Sequence, residues 1–271
     1  MRGGYEPRSY WEETLAADFD ESGAAYSNLP RSFNRVLYRA VRSSTAAFLR
    51  KHALRPRSVL DVGFGTGIWL DFWRSRGVER LAGVDLTDVA VEQARTRYPD
   101  VEVARVDIGS EAIPFGPFDL VSAMNVLLHV VDPAAFTHAL RGIRAAVRSG
   151  GWLLAMEPVA VRATRLQPGP SSAIRTLDEW REQLDAAGFD IVALRPATCL
   201  LSNPVDAASQ RRLAAMSRLW FGVSRFVGRS EWRGAVAAAA LYPVDRACTR
   251  LARVGPSGKL LLARARPDGR H

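Results

Sequence analysis

Lysine, cysteine and long apolar runs are scarce in this sequence. Lys51 and Lys259 are the only lysines, whereas lysine and arginine together number 37, so arginine carries nearly all of the positive charge. The two cysteines, Cys199 and Cys248, have neither the spacing of metal ligands nor that of a disulfide framework. We therefore expect both thiols to be reduced and to serve in packing.

No apolar pattern in the sequence predicts a membrane span or a secretion signal. No apolar stretch approaches the ~20 residues that cross a bilayer. The first six residues lack the apolar centre of a signal peptide. These two absences predict a cytoplasmic location.

The remaining composition suits one large globular domain with additions. The chain has 271 residues, 48% hydrophobic composition, a net charge of +9 and a pI near 10.3. Such a positive field attracts anionic substrates or an acidic membrane surface. Ribonucleoprotein motifs and zinc-ligand spacings are both missing, which disfavours nucleic acid as a partner.

Residues 57–67 have the pattern of a nucleotide-cofactor loop. The segment 59–62 predicts a buried strand, and the helix predicted from Thr66 begins close to its end. Glycines recur between them at every second position, at Gly63, Gly65 and Gly67. A turn without Cβ atoms lets backbone N–H groups approach a ligand near the start of that helix. A dinucleotide loop would need its third glycine where Ile68 stands, which excludes that pattern.

Asp61, two residues before the first glycine, completes a pattern that closely resembles motif I of the class I S-adenosylmethionine (SAM) dependent methyltransferases. In that family the acidic residue lies near the amino-acid end of SAM, and the glycines pass beneath its ribose and methionine portion. The next predicted strand ends in Asp85, which is placed to accept from both ribose hydroxyls. A third strand, near 101–106, precedes Asp107 and Ile108, and residues at these positions contact adenine in the family.

A fourth segment, 118–129, resembles the family's strand four and the turn beneath the transferable methyl group. The resemblance implies SAM as cofactor, S-adenosyl-L-homocysteine as its product and no metal. It also implies a set of cofactor-binding residues: Asp61, Gly63, Gly65, Gly67, Asp85, Leu86, Asp107, Ile108 and Asn125.

Strand and helix patterns alternate in the middle of the chain, which predicts a parallel sheet covered on both faces. Strands are expected near 58–62, 80–85, 101–106, 118–123 and 151–157, and helices near 66–76, 87–97 and 133–148. Ser149-Gly150-Gly151 is interpreted as the cap of the last helix. Strands near 188–194 and 258–264 follow, and the last is antiparallel in the family. The predicted fold class is α/β, a Rossmann-like seven-stranded class I methyltransferase sheet.

The chain is divided into four parts. These are an N-terminal helical lid segment (1–56, with a helix over 32–49), the SAM-binding core (57–196), a helical insertion between strands six and seven (197–257), and the final strand and tail (258–271). The residue pattern of the insertion predicts helices over 205–227 and 230–253, and Pro243 is expected to kink or interrupt the second helix. Nine arginines against three acids make it strongly basic. It is interpreted as a substrate lid, a membrane-surface patch or a homodimer contact.

His129, after strand four, is the expected catalytic base if the acceptor is a hydroxyl, unless its ring is only bonded to a carbonyl inside the helix–sheet interface. Glu157, at the end of strand five, is a second base or a group that stabilises a cation. In carbon methylation the ring of Tyr26 or Trp11 would stabilise a carbocation. The residues expected to bind the acceptor flank the core: Asn28, Arg31, Arg35, Arg211 and Arg218.

The arginines of the flanking segments favour an anionic or amphipathic acceptor of specialised metabolism, such as a phosphate- or diphosphate-bearing isoprenoid methylated on carbon. Two alternatives remain open. One is O-methylation of a neutral natural product with His129 as base; the other is a SAM-binding cyclase or partner subunit that transfers no methyl group. Met124–Leu127 stands where Asn/Asp-Pro-Pro-Tyr would indicate an amide or nucleobase amine acceptor. The metal-binding acids of the catechol-type enzymes are missing as well.

Overall fold

The computed structural model of the chain describes residues 6–20, 26–162, 171–228 and 230–267. These ranges contain eight α-helices: α1 (Pro7–Ala17), α2 (Arg31–Lys51), α3 (Ile68–Arg74), α4 (Asp88–Arg97), α5 (Pro133–Ala146), α6 (Leu177–Ala186), α7 (Gln210–Val227) and α8 (Glu231–Leu251). They also contain nine strands: β1 (Ser58–Val62), β2 (Arg80–Asp85), β3 (Glu102–Arg105), β4 (Phe118–Met124), β5 (Val147–Glu157), β6 (Val159–Ala160), β7 (Arg175–Thr176), β8 (Phe189–Pro196) and β9 (Lys259–Ala265).

Seven strands form one sheet in the order β3-β2-β1-β4-β5-β9-β8. The first five are parallel, whereas β9 runs antiparallel between β5 and β8. The strand order reverses between β1 and β4, and in such sheets a ligand binds beyond the carboxyl ends of the strands at the reversal. The predicted fold class, a Rossmann-like seven-stranded sheet with an antiparallel last strand, is confirmed.

Apolar side chains cover both faces of the sheet. On one face, α2, α3 and α4 pack over residues that include Leu120 and Leu154, and Trp73 is fully buried there. On the other face, α5 and α6 pack over Val121 and Leu153. Successive residues of β4 and β5 thus point to opposite helical layers, as the two-residue repeat of a strand requires.

Helix α1 forms where the sequence pattern predicts no helix. Its start carries local signals, because Pro7 occupies the first helical position and the Glu6 carboxylate accepts from the backbone N–H groups of Arg8 and Ser9. Leu15 is its one buried residue. The helix therefore lacks the apolar stripe by which an amphipathic helix is recognised.

The predicted boundary between α5 and β5 is wrong. Helix α5 ends at Ala146 and β5 begins at the next residue, so Ser149-Gly150-Gly151 lies inside a strand and caps no helix. Gly150 has φ +70, and the register between β4 and β5 shifts beside it. The glycines serve an irregularity of the strand, because glycine adopts positive φ at little cost.

The insertion between β8 and β9 contains α7 and α8. Helix α7 begins later than predicted because residues 205–206 bond to the Pro256 carbonyl, and the Ser209 side chain caps the helix. Pro243 does not interrupt α8, which continues to Leu251. None of the helices in the described ranges has both the length and the apolarity that crossing a bilayer demands.

Candidate functional site

A cavity of about 810 Å³ lies at the carboxyl ends of β1, β2 and β4. Residues of α1, α2 and the first turn of α5 line it together with the loops that follow β1 to β4. Its volume is in the range of sites for cofactors and small ligands. Its position agrees with the reversal of strand order between β1 and β4.

Gly65 occupies the middle of the loop after β1. Its backbone N–H donates to Oδ2 of Asp85 at 2.8 Å, which ties the loop to the end of β2. Gly65 has φ +50, and a Cβ atom added to it would meet nothing within 4 Å. Because the residue lines the cavity, this open space allows a ligand to approach the backbone closely. The loop therefore fits the cofactor implied by the sequence.

The neighbouring glycines are required by packing. A Cβ atom on Gly63 would lie 2.4 Å from a methyl group of Val126, and one on Gly67 would lie 2.6 Å from the Tyr98 hydroxyl. Gly63 lines the cavity, whereas Gly67 lies outside it beside a smaller pocket that Tyr98 lines. The cavity contact expected of Gly67 is therefore not observed, because the residue faces Tyr98.

Asp61 lies outside the lining of the cavity and joins β1 to β4. The indole N–H of Trp73 donates to the Ser122 hydroxyl at 3.0 Å, and that hydroxyl donates to Oδ1 of Asp61. Oδ2 of Asp61 is buried without a hydrogen-bond partner among the described residues. Burial raises the pKa of Asp61 to about 7. Direct contact of Asp61 with SAM stays a prediction.

The ends of β2, β3 and β4 bring five of the predicted cofactor residues to the cavity. They are Asp85, Leu86, Asp107, Ile108 and Asn125. Oδ1 of Asp85 accepts from the N–H and hydroxyl groups of Thr87, and Oδ1 of Asp107 accepts from the Gly109 N–H. These bonds fix the two carboxylates. Asn125 has φ +61, a left-handed conformation that asparagine adopts more readily than most residues.

Among the described residues that line the cavity, acidic residues outnumber basic ones. The acids are Glu6, Asp85, Asp107, Glu111 and Asp132. Two of the described arginines line the cavity, and both are paired: Arg8 with Asp88 at 2.6 Å and Arg105 with Glu111 at 3.0 Å. The resulting field favours a cationic ligand over an anionic one.

His129 ends a short 3₁₀ turn, Leu127–His129, that follows β4 and lines the cavity. Its Nδ1 lies 2.8 Å from the carbonyl oxygen of Ser171. A carbonyl oxygen can only accept, so Nδ1 carries the proton and Nε2 keeps its lone pair. Burial lowers the pKa of His129, which favours the neutral imidazole. His129 is therefore held in the form that can accept a proton.

Glu157 and Arg175 hold this turn from its two sides. The Glu157 carboxylate accepts from three consecutive backbone N–H groups, those of residues 126–128, at 3.0, 2.8 and 3.1 Å. Arg175 donates to the carbonyl oxygens of Leu127 and Val130. Burial raises the pKa of Glu157 to about 8. Glu157 lies outside the cavity lining and its oxygens bind the main chain, so it positions the turn and is not placed to act as a base.

Helix α1 lies over the cavity and is fixed to the start of α4. The Glu12 carboxylate accepts from the N–H groups of Asp88 and Val89 at 2.9 Å each, so a side chain of α1 satisfies the first turn of α4. Trp11, one residue earlier, lines the cavity. The N-terminal segment thus supplies both a cover and its attachment.

The family described as a methyltransferase domain matches residues 33–194, which extend from α2 into β8. The chain belongs to this methyltransferase family. The solved S-adenosylmethionine-dependent methyltransferase from Mesorhizobium loti shares the fold, with a TM-score of 0.50, 17% identity, and coverage of 82% of this chain and 97% of the other. Family and fold are those of the class I SAM-dependent methyltransferases, and SAM is the cofactor of that family.

Two curated relatives of this methyltransferase match parts of it. The Ubiquinone biosynthesis O-methyltransferase of Neisseria meningitidis serogroup C is 36% identical over 100 residues, which are 34% of this chain and 42% of the relative. A protein of Mycobacterium tuberculosis described as a probable S-adenosylmethionine-dependent methyltransferase is 30% identical over 142 residues, 51% of this chain and 50% of the relative. The chain thus spans about half or less of the length of these relatives.

Besides Asp61, Gly67 and Glu157, six further residues predicted to act in this methyltransferase do not line the cavity. They are Tyr26, Asn28, Arg31, Arg35, Arg211 and Arg218. Tyr26 packs on Trp220, and its hydroxyl accepts from the Asn203 N–H. Arg31 pairs with two acids of the segment that follows α1. The others are exposed to solvent. The four arginines expected to bind the acceptor are therefore exposed to solvent and do not line the cavity.

Four further residues line the cavity of the methyltransferase, and the sequence analysis does not predict a role for them. They are Arg8, Tyr38, Trp69 and Arg105. Tyr38 lies on α2 four residues after the buried Asn34 and three before the buried Val41, so the periodicity of that helix indicates it. Arg8 belongs to α1, which has no apolar stripe, and it could be found only once the helix was placed over the cavity.

Proposed function

We propose that this methyltransferase transfers the methyl group of SAM to a hydroxyl group of a neutral small molecule. The proposal depends on the hydrogen bond and the position of His129. Its Nδ1 bonds to the carbonyl oxygen of Ser171, and His129 lines the cavity. A neutral imidazole with an available Nε2 is a suitable general base for a hydroxyl acceptor. The base expected from the sequence therefore stands at the centre of the proposal.

The cofactor would be held by the loop at Gly65 and by the carboxylates of Asp85 and Asp107, which line one cavity. When bound, SAM supplies a methyl group on a sulfonium, which is already an excellent leaving group. The excess of acids along the cavity complements that positive charge. Because the leaving group needs no further activation, the protein has to align the acceptor and remove its proton.

The residues of this chain meet both requirements. Nε2 of His129 takes the proton of the acceptor hydroxyl, and the carbonyl of Ser171 stabilises the positive imidazole that results. Glu157 and Arg175 fix the turn, which limits the positions His129 can adopt. Helix α1 covers the cavity and reduces the access of water to the reacting groups.

The charges along the cavity favour a neutral acceptor over the isoprenoid diphosphate expected from the sequence. That expectation depended on Arg31, Arg35, Arg211 and Arg218, and none of these residues lines the cavity. The two described arginines that do line it are paired with acids, so neither offers an unpaired charge to a phosphate. The name of one relative, an O-methyltransferase of ubiquinone biosynthesis, is consistent with transfer to oxygen. The cytoplasmic location stays a prediction.

Transfer of labelled methyl groups from SAM to a panel of acceptors tests this function. One half of the panel contains neutral phenols and polyols, and the other contains prenyl diphosphates and sugar phosphates. We expect labelled product only in the neutral half. Product only among the phosphates would overturn the neutral acceptor. Binding of SAM without transfer to any acceptor would instead favour the non-transferring alternative, a cyclase or partner subunit.

A further inference from the structure

Helices α7 and α8 expose large apolar side chains to solvent. Nine such side chains are exposed in the described part of the chain, and seven of them lie on these two helices. The seven are Leu219, Phe221, Phe226, Trp232, Val236, Val244 and Leu251. Trp232 is 65% exposed and Leu251 is 85% exposed. Apolar patches of this kind mark surfaces that contact a partner.

The exposed apolar residues of the two helices meet where α7 ends and α8 begins. On α7, Leu219 and Phe226 are seven residues apart and therefore lie on one side of the helix. On α8, Trp232 and Val236 are four residues apart and also share a side. The Arg233 guanidinium lies over the rings of both Phe226 and Trp232, at 5.2 and 5.4 Å, and so joins the end of α7 to the start of α8.

The opposite side of α8 is anchored to the body of the protein. Arg246 donates to the Ala40 carbonyl and the Ser44 hydroxyl of α2. At its first turn, the Glu231 carboxylate accepts from the backbone N–H groups of Arg31 and Ser32. Because these inward contacts fix the helix, the apolar face cannot turn inward without breaking them.

Arginines outnumber acids in the insertion, and each of its three acids has a bonding partner. Asp206 contacts Lys259 and the Arg162 N–H, Asp245 accepts from three backbone N–H groups, and Glu231 caps α2. Six exposed arginines of the insertion have no ion pair with an acid in the described ranges: Arg211, Arg212, Arg218, Arg225, Arg250 and Arg253. The surface is therefore both apolar and positively charged.

From this juxtaposition we propose that the outer face of α7 and α8 docks on a membrane surface that contains anionic lipids. Apolar side chains enter the boundary between headgroups and acyl chains, while arginines bind the phosphates around them. A second copy of the chain would bring the same unpaired arginines face to face, since a two-fold contact joins a surface to itself. Nucleic acid would contact the arginines but would leave Leu219, Trp232 and Leu251 exposed to water.

Flotation with lipid vesicles tests the docking of the intact protein. The protein is mixed with vesicles of phosphatidylcholine alone or of phosphatidylcholine with phosphatidylglycerol. We expect binding only to the second kind, and weaker binding as salt is raised, because salt screens exposed charges. Equal binding to both kinds, or to neither, would overturn the proposal.

Two independent double variants locate the surface. R218E with R225E should lower the partition onto anionic vesicles roughly tenfold or more, because each basic residue near such a surface contributes to binding. The matched control is R95E with R141E, which makes the same charge change at exposed positions of α4 and α5 and should bind as the parent does. L219S with F226S should also weaken binding, whereas V192S, at an exposed residue of β8, should not.

The remaining outcomes assign the surface differently. Binding that both double variants leave unchanged would place the lipid contact elsewhere and overturn this proposal. A dimer that L219S with F226S converts to a monomer, together with no vesicle binding, would assign the face to a second copy of the chain. Binding to a DNA duplex that R218E with R225E abolishes, without vesicle binding, would assign the arginines to nucleic acid.

Discussion

The indole ring of Trp11 packs edge-on against the imidazole ring of His129, with centroids 4.8 Å apart and planes at 76°. Trp11 belongs to α1, and His129 belongs to the turn after β4. The contact brings the cover of the cavity against the proposed base. The position of α1 and the orientation of the His129 imidazole ring therefore depend on each other.

Replacing Trp11 should impair catalysis more than it impairs folding. The W11A variant leaves the imidazole ring without one of its walls and admits water to the cavity, so we expect kcat/KM to fall by roughly 10²-fold, as for other misplaced catalytic groups. W11F keeps an aromatic edge and should retain more activity. W232A removes an exposed indole that does not line the cavity and serves as the control. Equal activity of W11A and W232A would show that the Trp11–His129 contact has no catalytic role.

The glycine loop allows a matched test of cofactor binding. Gly65 and Gly77 both have positive φ, +50 and +74, and a Cβ atom on either would meet nothing within 4 Å. Alanine at each position therefore carries a similar backbone cost, about 1 to 2 kcal/mol. Only Gly65 lines the cavity. We expect G65A to weaken SAM binding strongly and G77A to leave it unchanged, as measured by calorimetric titration. Loss of binding in both variants would mean that stability, not contact, is the cause.

Much of the core could be predicted from local patterns. The apolar run Val59–Val62 predicts a buried strand, and the closely spaced glycines after it predict a turn. The positions of β1 and its loop are therefore predictable from local sequence alone. Asp85 ends β2 and Asp107 follows the end of β3 by two residues, and the carboxyl ends of parallel strands meet at one edge of a sheet. These residues line the cavity because of where their strands end.

The residues over the cavity could not be predicted in the same way. The direction in which Arg31 or Arg218 points depends on how α2 and α7 pack, and periodicity identifies a face without showing what covers it. Glu157 shows a second reason why a residue's role could not be predicted from the sequence. A carboxylate at a strand end has the position of a base, but the turn after β4 offers it three N–H groups, and a contact between residues so far apart in sequence leaves no local signal.

We expect the free energy of unfolding to decrease as the pH is raised, because two carboxyl groups are buried. Burial raises the pKa of Asp61 from 3.8 to about 7 and that of Glu157 from 4.5 to about 8. Between the ordinary and the raised values the folded state holds protons that the unfolded state has released. The stability gained from these protons is complete below the ordinary values and is lost as the pH rises through 7 and 8.

Denaturant unfolding across that pH range tests the decline. The D61N/E157Q variant cannot titrate at either site, so its free energy of unfolding should change less with pH than that of the parent. The control is E92Q/E182Q, which removes two exposed carboxyl groups and should keep the slope of the parent. An unchanged slope in D61N/E157Q would mean that the two acids are ionised throughout.

The pH dependence of turnover tests His129 as the base. Burial lowers its pKa below 6.5, so the neutral form should already predominate at neutral pH. We expect kcat/KM for a hydroxyl acceptor to be level at neutral pH and to fall as the pH decreases through that lowered pKa, because protonation removes the acceptor lone pair on Nε2. In H129Q the rate should fall by ~10²-fold or more and the acid limb should disappear. H52Q is the matched control, since burial also lowers the pKa of His52 but His52 does not line the cavity. An H129Q variant that keeps the acid limb would assign proton removal to another group, whereas one that loses the limb and the rate together identifies His129 as the base.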